Sequence, residues 1–241
     1  MIITHAPILA AAGEFVPTRS MFDMLIAGGP LMIPIALCSF LMVLITFERL
    51  LSLRKRRVVP HLFVERFLLQ IREGALDRHE ALGRCEDEPS HVARVFAAAV
   101  RKWGKPAVEV EQAVLDEGER IGNVLRRYLR VINGISTVSP LMGLAGTVWG
   151  MMNAFNTIAT SAAMGQAEML AGGISVALVT TASGLMVAIP AMILYLFFVG
   201  RVDSLVMEID GHGQELVSLI SAEGLEERKT GRTNVYRRKA A

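Results

Sequence analysis

The chain has 241 residues, of which 52% are hydrophobic and only 20% charged, with a mean hydropathy of +0.43. That is too apolar for an ordinary soluble domain and sets aside secreted, DNA-binding and cytosolic globular classes in favour of a membrane protein. The formal net charge of +2 says little as a total, so its distribution along the chain carries the argument.

Residues 1–23 come first. Met1–Ala12 is apolar but lacks the basic start of a cleavable signal peptide. With His5, Glu14, Arg19 and Asp23 in the same stretch, residues 1–23 read as a short interfacial arm rather than a span. Residues 24–47 then carry no charge and are long enough to cross the hydrocarbon as a first transmembrane helix. Its outer half holds Gly28, Gly29, Pro30 and Pro34, so a start or bend near Pro30 and a straighter helix from Leu31 are expected. Glu48 and Arg49 mark its exit, and the cluster Arg54, Lys55, Arg56, Arg57 directly after it is the main topological mark. By the positive-inside rule the block that follows is cytoplasmic and the N-terminus periplasmic.

Residues 48–130 alternate charged and apolar positions at helical spacing. Leu62, Phe63, Phe67, Leu68 and Ile71 form one face and Val92, Val95, Phe96 and Val100 another. Breaks at Pro60, Gly74, Pro89 and Gly104-Lys-Pro106 divide the block into a small set of amphipathic helices. The last begins near Pro106 and, through Val110, Val114, Ile121, Leu125, Tyr128 and Ile132, meets no breaker before Gly134. The second membrane helix, 131–160, is therefore expected to extend into the cytoplasm. Residues 161–168 form a short periplasmic loop with Glu168 at the interface, and 169–200 are the third span. Val202, Leu205, Ile209, Leu216 and Ile220 prolong that helix to about residue 225, with Gly211 and Gly213 as weak points, and the basic tail 226–241 is expected to be disordered. The fold class is thus all-α, with three transmembrane helices, the second and third extended as stems. Three helices enclose no pathway alone, which points to a cyclic homo-oligomer.

Chemistry-bearing patterns are sparse. In the second span Ser139, Gly143 and Thr147 fall on one helix face and Gly146 and Gly150 on another; in the third, Ala177, Thr181, Gly184 and Ala188 line up. Such small faces let helices approach closely in lipid. Thr147, Thr180, Thr181 and Ser183 either bond back to their own helix or face water and a partner's polar group. None of the three uncharged spans contains a carboxylate, histidine or lysine, so a proton relay would need a titratable group from a second protein. No nucleotide, nucleophile or dinucleotide motif is present, His61, His79 and His91 have no metal-ligand spacing, and Cys38 and Cys85 make neither a disulfide nor a metal site. The expectation is a non-enzyme without cofactor or metal.

The run Ser139-Pro-Leu-Met-Gly-Leu-Ala-Gly-Thr-Val-Trp-Gly-Met151, then Ala154-Phe155, then Gly173-Ile-Ser-Val-Ala-Leu-Val-Thr-Thr-Ala-Ser-Gly-Leu-Met-Val-Ala-Ile-Pro190, resembles the ExbB/TolQ/MotA proton-channel family, its ExbB/TolQ branch most. The resemblance implies a homopentamer in the bacterial inner membrane around single-span ExbD- or TolR-like subunits, converting protonmotive force into work on a TonB- or TolA-type protein. It also implies that an Asp in the partner's helix carries the proton and that Thr147 and Thr181, with Thr180 beside them, line the pathway. One position departs from the pattern: the Gly-Ile-x-Glu-Ala-Leu of many relatives has Val176 here in place of Glu. Either the partner's Asp suffices, with Thr147 and Thr181 organising water around it, or conduction is altered or absent; the competing class is a non-conducting membrane scaffold that clusters partner proteins.

Overall fold

The computed structural model describes residues 29–160 and 167–227. The N-terminal arm, the first residues of the expected first span, most of the 161–168 loop and the tail from 228 lie outside the described residues. Among the described residues every regular element is helical: α1 (Met32–Ser52), α2 (Lys55–Val58), α3 (His61–Glu73), α4 (Arg78–Asp87), α5 (His91–Arg101), α6 (Ala107–Arg126), α7 (Leu129–Thr160) and α8 (Ala167–Ile220). Three of them, α1, α7 and α8, are long and apolar enough to cross a membrane. The described residues form two compact units: those up to 39 with those between 137 and 188, and those from 40 to 136 with those from 189 onward.

In the first unit Gly29 adopts φ +71, a left-handed conformation that costs glycine nothing, and its carbonyl accepts from the Met32 amide at 3.1 Å. Helix α1 runs from Met32, next to the start or bend expected near Pro30. Helices α7 and α8 supply the rest of the unit and continue past it, 32 and 54 residues long. At 1.5 Å per residue α8 measures about 80 Å, far more than the roughly 30 Å of hydrocarbon. Pro140 and Pro190 lie inside these helices without ending them, and so do Gly134, Gly211 and Gly213. Gly213 has a packing reason: a Cβ there would come within 2.6 Å of the Val114 methyl.

The second unit packs larger apolar side chains into a core. Val64, Phe67, Leu68 and Ile71 of α3 are buried, while Leu62 is 70% exposed, so the face lies one step round from the one expected. Phe67 stacks on Phe63 and on Phe96 with ring centroids 5.5 and 5.2 Å apart, joining α3 to α5. The helix ends are set by short-range chemistry. Gly74 closes α3 at φ +74 with its N–H shared between Gln70 and Ile71, Asp77 caps α4 through the Glu80 amide, and Ser90 caps α5 through the Ala93 amide. Glu223 reaches the Ala107 amide at 2.9 Å, placing a carboxylate on the N-terminus of α6. Cys85 is buried in this unit, and burial, followed by the charge of Glu86, pushes its thiol up to about 12, so it stays protonated and inert.

One boundary has no breaker in the sequence. The expected continuous helix from Pro106 is interrupted at Arg127 and Tyr128, between α6 and α7. Arg49, only 4% exposed, donates to the Leu125 carbonyl at 3.1 Å, the carbonyl that an unbroken helix would offer to the Leu129 amide. Its guanidinium lies 4.5 Å from the centre of the Tyr128 ring and pairs with Glu48 at 2.6 Å. The competing donor explains the local tightening, in which Arg127 bonds back to Val124 at 3.3 Å.

Candidate functional site

The first unit is built on the α7·α8 seam, and the seam is made of small residues. Along α7 it takes Ser139, Gly143, Gly146, Gly150 and Ala154; along α8, in antiparallel order, Gly184, Thr180 with Thr181, Ala177 and Gly173. Steps of three and four keep each set on one stripe. The sequence reading put Gly146 and Gly150 on a different face from Ser139 and Gly143, and the structure corrects this: residues at i, i+4, i+7 and i+11 lie within about 60° of one another at 100° per residue. Ala154 and Gly173, noted in the sequence only within the family-like run, join these small faces, each extending its stripe by one further step of four.

The backbones are as close as side chains permit. A Cβ on Gly143 would lie 3.1 Å from the Thr181 Cα, and one on Gly184 would lie 2.6 Å from the Ser139 carbonyl oxygen. A Cβ on Gly146 would run into the Thr180 methyl, and one on Gly173 into the Ala154 methyl. Ala188 is buried as well, whereas Gly172, one residue off the stripe, has open space where its Cβ would be. These contacts are what small residues provide in lipid, where apolar burial alone does not drive helices together.

Four hydroxyls distinguish themselves by what they bond. Thr180, fully buried, donates to the Val176 carbonyl of its own helix at 2.7 Å, and Ser183 to Val179 at 2.8 Å. Thr180, expected beside Thr147 and Thr181 on the pathway, fills the seam of the single chain. Thr181 crosses the seam and donates to the Gly143 carbonyl at 3.0 Å, while Thr147 donates to Leu144 at 2.7 Å. Both are half-buried. Because the carbonyls of Gly143 and Leu144 are consecutive, the two hydroxyls stand at one height along α7. Each hydroxyl that donates to a carbonyl keeps lone pairs free to accept from water or a protonated acid. The Ser139 hydroxyl is buried with no hydrogen-bond partner, at a cost of about 1–3 kcal/mol.

Val176 is half-buried and lines a groove of about 340 Å³ in this unit, with Pro30, Trp149, Asn153, Thr157 and Gly173 among its other walls. The groove is thus apolar at the height where a carboxylate would stand, with an amide and a hydroxyl within its walls. The side chain of Glu168 lies outside the described residues. Arg54, Lys55, Arg56 and Arg57, in the other unit, are all exposed, and Lys55 pairs with Glu208 at 3.0 Å.

Comparison with known proteins converges on one group. The family described as the MotA/TolQ/ExbB proton channel family matches residues 87–211. The chain is 33% identical over 174 residues to the Tol-Pal system protein TolQ of Pseudomonas aeruginosa, covering 66% of this chain and 73% of that protein. It is 32% identical over 173 residues to the putative biopolymer transport protein ExbB-like 3 of a Synechocystis species, covering 69% and 79%. Over 90 residues it is 42% identical to the biopolymer transport protein ExbB of Salmonella typhimurium, covering 36% of each chain.

Proposed function

The chain belongs to the MotA/TolQ/ExbB proton channel family, and on that premise we propose that it is an inner-membrane stator subunit that passes protons along a partner helix and turns the protonmotive force into mechanical work. The partner is a single-span protein of the ExbD/TolR kind and the recipient of the work a TonB/TolA-type protein, so that transport at the outer membrane is powered. In this reading five copies surround the partner, the N-terminus is periplasmic, and the basic block after the first span and the C-terminus are cytoplasmic. The subunit performs no covalent catalysis and needs no cofactor.

The observation that carries the reading is the pair of half-buried hydroxyls, Thr147 and Thr181, held at one height by consecutive carbonyls of α7. The rest of the wall is apolar and the spans 131–160 and 169–200 contain no titratable residue other than Tyr195. A carboxyl on a partner helix facing such a wall is held protonated by desolvation, and it ionises where hydroxyls and water stabilise the anion. Repeating the chain around an axis would turn the Thr147–Thr181 pair into that level. At 100 mV each transferred charge supplies about 2.3 kcal/mol, enough to bias the position of a helix against a nearly smooth wall. Fixing each hydroxyl to a carbonyl keeps the level in place without charge on the subunit itself.

Val176 favours a second reading, in which the assembly binds partners without conducting. Reconstitution into liposomes with and without a single-span partner, under an imposed potential, separates the two. Proton uptake that requires the partner and vanishes when its membrane Asp is changed to Asn supports the motor. A stable complex that passes no protons rejects it and leaves the scaffold.

A further inference from the structure

Spacing along the chain gives no metal-ligand pattern, yet the second unit brings together three side chains that do. Glu208 and His212 stand one turn apart on α8, and His61, the first residue of α3, reaches them from the other end of the sequence. The donor atoms of all three lie within 4.8 Å of one another. His61 Nε2 and Glu208 Oε1 are 3.3 Å apart, close to the roughly 3.4 Å edge of a tetrahedron whose metal–ligand bonds are about 2.0–2.1 Å. We propose that His61, Glu208 and His212 form a three-ligand site for a divalent transition-metal ion, zinc being the best fit, which ties the start of α3 to α8.

The donor set fits that chemical class. Two imidazole nitrogens and one carboxylate suit zinc and its late first-row neighbours, whereas magnesium and calcium favour all-oxygen sites. Three protein ligands leave the fourth position of the ion to water. The backbone that supplies them is firmly held. Val58 and Val59, just before His61, are fully buried, and so, within 2%, are Leu205, Ile209 and Leu216 around the two α8 ligands. Those contacts set the rotation of α8, while the exposed His61 ring has the freedom to close the remaining gap.

A cation already occupies this spot. The Lys55 ammonium lies 3.0 Å from the same Glu208 oxygen that faces His61. A divalent ion must displace it, so the lysine acts as an internal competitor that lowers affinity. Metal occupancy would therefore also free Lys55, a member of the exposed basic cluster, from its carboxylate. The site is independent of the channel reading, since it uses no residue of the α7·α8 seam.

Zinc titration of the full-length protein in nanodiscs, after chelator treatment, tests the site by calorimetry, with cobalt absorption reporting the geometry. Loss of a direct ligand should weaken binding by at least the roughly 10- to 100-fold that loss of a ligand's hydrogen-bonded partner costs. That drop is expected for both His212→Ala and Glu208→Gln, while Lys55→Gln should bind zinc more tightly than the wild type. Zinc should also slow amide exchange across residues 54–61 in the wild type and not in His212→Ala. Unchanged helicity in the variants keeps a folding defect from imitating the result. Absence of binding in the wild type, or equal binding by the wild type and both ligand variants, would overturn the proposal.

Discussion

The two units of this chain solve opposite packing problems. The seam of the first contains no charge and little side-chain volume: it is closed by backbone against backbone, with Gly143, Gly146, Gly150, Gly173 and Gly184 as its contacts. The second interlocks large side chains, with stacked Phe63, Phe67 and Phe96 and a shell of ion pairs such as Arg94 to Glu117 and Arg126 to Asp203. In water, burial of apolar area rewards large residues; in lipid that reward is absent, and close approach replaces it. The seam should therefore be intolerant of added atoms, and the second unit tolerant of lost surface charges.

The sharpest break of that contrast is Gly184→Val. Its Cβ would meet the Ser139 carbonyl at 2.6 Å, a backbone atom that cannot move aside. A cost of about 3 kcal/mol or more is expected, at or beyond the upper end of ordinary overpacking, read as loss of thermal stability in detergent. Gly172→Ala, with open space around it, should be neutral or mildly stabilising in the same assay.

Function sharpens the comparison next. Thr147→Val with Thr181→Val should reduce partner-dependent proton flux in liposomes about tenfold, the effect of losing a hydrogen bond of roughly 1.4 kcal/mol at the limiting step. Thr180→Val should leave the flux nearly unchanged, because Thr180 is fully buried in the seam whereas Thr147 and Thr181 are half-buried. Intact flux in the double variant would remove the hydroxyl level from the mechanism.

In the second unit the largest single effect should come from Arg49→Met, at about 2 kcal/mol, since it removes both a charged hydrogen bond to the Leu125 carbonyl and the contact with the Tyr128 ring. Hydrogen exchange at the Leu129 amide should slow in that variant as the Leu125 carbonyl becomes available to it.

A smaller effect is tied to pH. His91 is held below its ordinary range by burial first and by Arg94 second, and its Nδ1 is buried without a partner. The folded state thus favours neutral imidazole, so this contribution is complete above the unfolded value of about 6.5 and is lost as pH falls through the lower folded one. Melting temperatures measured from pH 7.5 downward should fall more steeply for the wild type than for His91→Leu. Among the second-unit variants the smallest effect is expected from Arg94→Ala: its ion pair with Glu117 is half exposed, and its removal should cost no more than about 1 kcal/mol in denaturant unfolding.

Much of the seam was legible before any coordinates because helical periodicity is a local property. Gly143, Gly184, Ala177 and Ala188 were identifiable as small faces, and only their grouping with Gly146 and Gly150 had to be corrected. The role of Thr180 was not legible, because two adjacent threonines on one helix differ by 100° and nothing local says which one meets a neighbour. The exposure of Leu62 was hidden for the same reason: an apolar residue at the edge of a stripe goes in or out according to the helix packed against it.

What the sequence determined by itself is the class of molecule. Charge-free segments that exceed the bilayer thickness must be helices in lipid, since unpaired backbone groups there are prohibitive, and the segregated basic residues mark the flanks. The tertiary structure alone decided where α6 ends, because the donor that takes the Leu125 carbonyl comes from Arg49, 76 residues away. It alone also decided that His61 meets Glu208 and His212, since a ligand set formed between distant helices leaves no spacing in the chain to read. Periodicity fixes which face of a helix is apolar; only packing fixes what that face touches.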